Sequence, residues 1–255
     1  MKIATWNVNS LRLRLPQLLT WLASNPIDVM ALQETKTPDE VFPRTELEAA
    51  GWNVAFSGQR SYNGVAILSR TPLSDPVPGI QGFPDEQKRV LAASVGDVRI
   101  IDVYIPNGQS LESEKFTYKL NWLGALQAYL RAELERHPKL VVLGDCNIAP
   151  EDRDVHDPKA WEGSVHVSPQ ERAALQSLCG LGLVDVFRRF EQPDKSYSWW
   201  DYRAAAFRRD HGLRIDLILA SAPMSSACRR CQIDRQPRTW ERPSDHTPVV
   251  AEFEF

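Results

Sequence analysis

The chain has 255 residues, a formal net charge of -3, and is 43% hydrophobic and 25% charged. This is an ordinary globular composition, and it excludes a globally basic field that would draw in nucleic acid, so any such attraction must come from a local patch. No apolar run approaches the roughly 18 residues of a membrane span.

The length allows a core that needs no covalent staples, and no linker divides it, so one domain over residues 1–255 is expected. The first residues, MKIATWNVNS, lack the apolar core of a secretory signal. A cytoplasmic protein is expected. Four cysteines do not make a disulfide framework. The pair Cys228 and Cys231, spelled CRRC, has no second pair or nearby histidines to complete a zinc site, and reads as incidental thiols.

In chain order, residues 2–8 alternate like a strand, and 15–24 (LPQLLTWLAS) have helical period. PIDVMALQET (26–35) is a near-continuous apolar strand closing on Gln33 and Glu34, followed by a short helix over 42–51 with a glycine stop. SDPVPG (74–79) reads as a proline-rich turn. Strands are expected in WNVAFSG, YNGVAILSR, RVLAASV and VRIIDVYIP, the last two joined at the hairpin signal Gly96-Asp97. The longest helix spans 115–137, and LVVLGDCN follows as a strand. A helix in ERAALQSLCGLG, strands in YSWWDYR and LRIDLILAS, and the closing TPVVAEFEF complete the pattern. Apolar strands interleaved with helices favour an α/β protein whose sheets are covered by helices.

Polar residues recur within or at the edges of these apolar runs: Asn7 in TWNVN, Glu34 in ALQET, Tyr104 in DVYIPNG, Asp145 and Asn147 in GDCN, Asp216 in LRIDLIL, Asp245 and His246 in PSDHTPV. A buried carboxylate is costly unless paired or bound to a cation. One such residue is commonplace, but their recurrence points to a shared site. Side chains two apart on a strand share a face, so Asp145 and Asn147 are expected to point one way and Cys146 into the core. Oxygen donors without a cysteine or histidine majority suit Mg²⁺ or Mn²⁺ rather than Zn²⁺. A histidine among carboxylates favours its charged form and can donate to an anionic oxygen. A hard cation, a histidine and a tyrosine around one point suit phosphate-ester hydrolysis.

On the blocks WNVNSLR, LQETK, NGVAILS, GDCNIAP, SWWDYR, GLRIDLILAS and RPSDHTPV, in order across nearly the whole chain, the sequence resembles the exonuclease III / AP endonuclease family of the endonuclease–exonuclease–phosphatase fold. The resemblance implies a four-layer α/β sandwich of two packed mixed β-sheets flanked by helices. It implies hydrolysis of duplex DNA: removal of nucleotides from 3′ ends, incision beside abasic sites and cleaning of blocked 3′ termini. The partner would be duplex DNA with 3′ ends, nicks or abasic sites, met by a monomer.

Within that resemblance, Glu34 is the first choice for a direct metal ligand, with Asn7 and Asp245 completing the cation's surroundings. Asp145 is similar to the residue that orients and deprotonates the attacking water, and Asn147 would hold that water or a phosphate oxygen. His246 would contact the scissile phosphate with Asp216 orienting its ring, and Tyr104 and Asn107 would assist. One- and two-metal schemes, and competing general bases, all fit these residues. Asn9 replaces an aspartate found in some members of the wider family, which weakens the case for a second metal.

The segment 197–214 mixes aromatics with Arg203, Arg208, Arg209 and Arg214. It reads either as a solvated loop or as phosphate-neutralising and base-gap contacts, and the resemblance favours the second. Trp199 and Leu213 resemble the walls of a pocket for an extruded abasic sugar. Lys115, Lys119 and Lys36 are further phosphate contacts. His166, bulky where a small residue would leave room, is expected to narrow access for an internal abasic nucleotide. The competing readings are a phosphatase or phosphodiesterase of the same fold acting on a small or lipid phosphate, and an inactive DNA-binding relative.

Overall fold

The computed structural model describes Met1–Phe255. Two six-stranded mixed sheets face each other. The first is built from β1 (Lys2–Asn7), β2 (Val29–Gln33), β3 (Asn53–Ser57), β4 (Val65–Ser69), β11 (Cys228–Ile233) and β12 (Val249–Phe253), in the order β11-β12-β1-β2-β4-β3. The second holds β5 (Leu73–Pro78), β6 (Val90–Val95), β7 (Val98–Tyr104), β8 (Leu140–Asp145), β9 (Val184–Asp185) and β10 (Asp216–Ala220), in the order β5-β6-β7-β8-β10-β9. Each sheet has one parallel pair near its centre, β1–β2 and β7–β8, and antiparallel neighbours around it.

Helix α1 (Leu11–Ser24) makes the crossover from β1 to β2, and α3 (Glu114–Arg136) makes it from β7 to β8. The shorter helices are α2 (Arg44–Ala49), α4 (Pro158–Trp161), α5 (Pro169–Cys179), α6 (Ala206–Arg209) and α7 (Ala222–Ala227). Ser113 caps α3 by accepting from the Phe116 amide, and Ser168 with Glu171 forms a capping box on α5.

The near-continuous apolar strands have the burial that such runs require. One core cluster, with Ile3, Val29 and Ile67 against Ile100, Val141 and Ile218, fills the space between the sheets. A second packs Trp122, Leu126 and Leu130 of α3 on the outer face of the second sheet, and a third packs Leu18, Trp21 and Leu22 of α1 on the first. This is the four-layer sandwich expected from the sequence.

Several expected elements move. The first helix begins at Leu11 rather than residue 15, because Pro16 costs only the intrahelical donor to the Arg12 carbonyl, on an exposed turn. The proline-rich stretch at 74–79 is mostly edge strand β5, with a register shift between Ser74 and Val77; an edge is where prolines are tolerated. CRRCQI forms β11, a strand absent from the sequence reading. YSWWDYR is not a strand: Trp199 makes only isolated bridges, to Leu213 and His246.

Candidate active site

The two parallel pairs point their C-terminal ends to the same edge of the sandwich, the usual place for ligands in parallel arrangements. Asn7 is opposite Gln33 at the end of β1–β2, and Tyr104 is opposite Asp145 at the end of β7–β8. The antiparallel partner β10 starts there with Asp216 opposite Asp145. The turn before β12 adds Asp245 and His246 from the other sheet. Strand register alone therefore gathers acidic and amide groups from both halves of the chain.

Asp145 and Asn147 meet the site by a different route from strand alternation. The strand stops at Asp145, and Asn147 turns into left-handed backbone at φ 48. Its amide then donates to Asp145 Oδ1 at 2.9 Å, and its side chain donates to the Ile105 carbonyl at 2.9 Å. Cys146 is buried in the core. Glu34 likewise sits one residue past its strand, at φ 51. For both residues the strained turn, rather than the pleat, aims the side chain.

Asn7 Nδ2 donates to Glu34 Oε1 and to Asp145 Oδ2, each at 2.9 Å. His246 Nδ1 donates to Asp216 Oδ2 at 2.9 Å, and its Nε2 faces Asp145 Oδ2 at 3.6 Å. Ser198 Oγ supports Asp216 with a 2.6 Å bond. Burial pushes the Asp145 carboxyl up to about 7, with Asp216 and Glu34 acting in the same direction against His246 and Asn7. Burial disfavours the charged imidazole of His246, but Asp216 and Asp145 outweigh it and raise its pKa to about 10. Burial, Glu34 and Asp145 all hold the Tyr104 hydroxyl well above its ordinary value, so it remains a donor.

Ligand atoms of Glu34, Asp145 and His246 lie within 4.8 Å of one another. A histidinium protonated on both nitrogens has no lone pair for a metal, which leaves carboxylate oxygen, Glu34 first, as the donor. Here four carboxylates (Glu34, Asp145, Asp216, Asp245) face two cations, Lys36 and His246. The excess negative charge and the all-oxygen donor set fit one hard divalent ion.

Two expected ligands are placed differently. Asn7 turns its NH₂ to the carboxylates while its Oδ1 accepts from the Asn9 amide at 3.0 Å, so it spaces them rather than offering oxygen. Asp245 is occupied by Asn9 Nδ2 at 2.8 Å and by Trp199 Nε1 at 3.0 Å. Burial opposes the charge on Asp245, but His246, Asn9 and Trp199 bring its pKa below the ordinary value. Lys36 reaches both Glu34 Oε2 at 2.8 Å and Asn9 Oδ1 at 2.6 Å. Asn9 thus links the Glu34 side of the site to the Asp245 side.

Of the expected DNA contacts, Lys115 and Asn107 line an open groove of about 750 Å³ that runs from Glu34 and Tyr104 to Arg89 and Tyr62. Tyr62 and Arg89 escaped the sequence reading; the only signal was their position flanking strands β4 and β6. Arg203, Arg208 and Arg209 are exposed beside the site-forming Trp199 segment.

Arg214 and Lys119 are corrections, since both are fully buried. Arg214 is tied up by Asp154 and Asp185, and Lys119 by Glu171. Leu213 is also fully buried and packs with Val155 and Ile215 under Trp199, forming a floor rather than an exposed wall. His166 is no surface residue. It is 5% exposed, at φ 76, with its ring 6.0 Å from Trp161 and 6.4 Å from Trp199. Burial and the Lys119 charge press its pKa down to about 4, so it is neutral. Trp161 is the aromatic of this cluster that sequence reasoning did not name.

A two-sheet sandwich with a carboxylate-held histidine and oxygen donors at its strand ends defines a class, and the chain belongs to it: the Endonuclease/Exonuclease/phosphatase family profile matches residues 4–246. Within that class the chain is 37% identical to exodeoxyribonuclease III of Haemophilus influenzae, over 99% of this chain and 100% of that one. Among solved structures it is similar to the 3′ phosphatase NExo from Neisseria bound to product DNA hairpin, with 49% identity, full coverage of both chains and a TM-score of 0.98. It is also similar to an AP endonuclease from Archaeoglobus fulgidus, with 39% identity, full coverage of both chains and a TM-score of 0.97.

Proposed function

We propose that the chain is a DNA repair nuclease. It hydrolyses phosphodiesters of duplex DNA with 3′-to-5′ exonuclease activity, and it cleans 3′ termini. The observation that carries this reading is the buried Asp145–His246–Asp216 constellation beside Glu34, in a chain alike over its full length to an exodeoxyribonuclease and a 3′ phosphatase.

In this reading Asp145 takes the proton from the attacking water, which Asn147 helps to hold. His246, kept charged by Asp216, donates from Nε2 to a non-bridging phosphate oxygen and stabilises the charge that builds there. Tyr104 donates its hydroxyl to the same phosphate, and Asn107 assists. A Mg²⁺ or Mn²⁺ ion held by Glu34 supplies Lewis-acid stabilisation of phosphate and leaving-group charge when bound. Asn7 keeps Glu34 and Asp145 apart at a fixed spacing.

Trp199 and Leu213 floor the pocket beside the phosphate, and His166 closes it. Its imidazole fills the space that an internal abasic nucleotide would need, which biases the enzyme toward 3′-terminal substrates. Arg203, Arg208, Arg209 and Lys115 neutralise flanking phosphates. The chain is taken to act as a monomer, since the proposed chemistry asks for no group beyond those gathered at its own strand ends. The four unpaired cysteines support a reducing, cytoplasmic setting.

A substrate panel tests the reading. It comprises nicked, gapped, 3′-phosphorylated and abasic duplexes, each with Mg²⁺, Mn²⁺ or EDTA, beside an inositol phosphate and a sphingomyelin substrate. DNA cleavage that needs a divalent cation is expected, strongest at 3′ termini. Preference for the phospholipid, or full cutting in EDTA, would overturn it.

A further inference from the structure

The fully buried Lys119 and Glu171 take no part in the chemistry above, yet they touch the backbone of three residues that do. Lys119 Nζ donates to the Asn107 carbonyl at 3.1 Å and to the Asn147 carbonyl at 2.7 Å, and it pairs with Glu171 Oε1. Glu171 Oε1 also accepts from the His166 amide at 2.9 Å, and its Oε2 accepts from the Ser168 amide at 3.1 Å. The ring closes through His166, whose Nδ1 donates to the Asn147 carbonyl at 2.7 Å and whose Nε2 faces Asn107 Nδ2 at 3.3 Å. We propose that the Lys119–Glu171 ion pair is a positioning device that holds Asn107, Asn147 and His166 in register across the β7–α3 loop, the exit of β8 and the loop before α5.

Three physical points carry the proposal. First, Asn147 and His166 both sit in left-handed backbone, φ 48 and φ 76, which is uncommon outside glycine although Asn and His enter it more readily than most residues. Contacts from the surroundings help to hold such conformations. Here the ammonium and carboxylate bond to the carbonyl of one strained residue and the amide of the other.

Second, an ion pair at zero exposure is a poor way to gain stability, since its desolvation cancels much of its attraction. Two apolar side chains would fill the same space between α3 and α5. The pair's worth lies in its fixed geometry, because one ammonium offers three donors to three acceptors on separate elements. Third, the hydrogen bonds fix the His166 tautomer with the proton on Nδ1, leaving Nε2 as acceptor toward Asn107. The hub therefore sets both the water-holding amide and the ring that closes the pocket. This rests on the roles given above to Asn147 and His166.

The double variant Lys119→Met/Glu171→Gln removes both charges together and avoids stranding one of them. Lys119→Gln/Glu171→Gln is the second probe, keeping amide hydrogen-bonding groups on both sides without either charge. Each is compared with wild type and His166→Gly on a 3′-terminal substrate and an abasic duplex, with folding checked by circular dichroism. A displaced water-holding group costs about 10- to 100-fold in kcat. The expected result is that loss in kcat, a smaller change in KM, and a rise in the ratio of abasic incision to 3′ removal. Adding His166→Gly to either folded double variant should raise that ratio no further than His166→Gly alone.

Wild-type kcat in either folded variant would overturn the proposal. So would a ratio that stays at the wild-type value, or one that adds in full to the effect of His166→Gly. If Lys119→Met/Glu171→Gln does not fold, the decision passes to Lys119→Gln/Glu171→Gln. Absence of nuclease activity in the wild type would overturn the functional reading instead.

Discussion

The centre at the strand ends and the arginine segment at 203–209 are built on opposite plans. In the centre, Asp145, Asp216 and His246 are almost wholly buried, and each charged group has named partners before any substrate arrives. In the segment, Arg203, Arg208 and Arg209 project into solvent, and the backbone passes through left-handed positions at Ala204 and Ala205. Charges fixed in a low-dielectric site act on the transition state without reorganising. Exposed charges are screened and contribute through association. Mutations in the centre should therefore appear in kcat, whereas those in the segment should appear in affinity and in its dependence on salt.

Asp145→Asn is the sharpest test of the first half. The amide keeps the size of the side chain and cannot take a proton, so turnover should fall by about 10³-fold or more, as for loss of a general base. DNA affinity should change little. Single-turnover cleavage beside equilibrium binding in EDTA separates the two, and turnover near the wild-type level would remove the assigned role.

Asp216→Asn should follow with a loss of about 10²-fold and a change in pH profile. Asp145, at about 7, must lose its proton to act, so kcat/KM rises with pH through the neutral region. His246, at about 10, must keep its proton, so activity falls as pH passes through that value. A bound divalent cation lowers the acid limb by favouring the carboxylate. Removing the Asp216 charge takes away the largest stabiliser of the imidazolium, so the alkaline limb should move toward neutrality while the acid limb shifts less. A profile from pH 5 to 11 for both proteins checks the sign. An unmoved alkaline limb would separate Asp216 from His246.

His166→Gly comes next. Glycine accepts φ 76 without strain, so the backbone has no reason to move. What disappears is the imidazole between Trp161 and Trp199, together with its bond to the Asn147 carbonyl. Incision at an internal abasic site should rise relative to 3′ nucleotide removal by about tenfold, the scale on which a pocket discriminates by one small group. Equal ratios in the two proteins would eliminate His166 as the closing residue.

These sites differ in how far they could be read from the chain. Asp145, Asp216 and His246 were legible because each is a polar residue in or beside an apolar run, a pattern that burial makes costly unless function requires it. The two sheets were legible for the same reason, since strands buried on both faces leave continuous apolar segments. The placement of Glu34 and Asn147 at strand ends was legible, but not the turns that aim them, because left-handed backbone at a non-glycine residue leaves no composition signal. Lys119 and Arg214 looked like surface cations because residue type carries no information about a partner in a distant element. Their carboxylates, Glu171 and Asp154, lie 52 and 60 residues away. The edge strands β5 and β11 were missed where prolines and arginines hide a strand from propensity, and at a sheet edge both are tolerated.

The arginine segment gives the smallest expected effect. Arg208 and Arg209 occupy one short helix, α6, which is held to the rest of the protein through the buried Ala206 and the packing of Phe207 edge-on against Trp200 at 5.1 Å. That anchoring fixes where the two exposed guanidiniums begin, and in the proposed function each would add one charge near the backbone of bound DNA. Arg208→Ala and Arg209→Ala should each leave kcat at saturating DNA nearly unchanged. Each should weaken binding similarly for all sequences and reduce the slope of log affinity against log salt by about one, the release of a single counterion contact. If the two residues contact different phosphates, the double variant should lose about two units of slope, because separate counterions add. A slope unchanged in both single variants would place the helix off the DNA path and leave Lys115 and the groove beyond Tyr104 to carry the flanking phosphates.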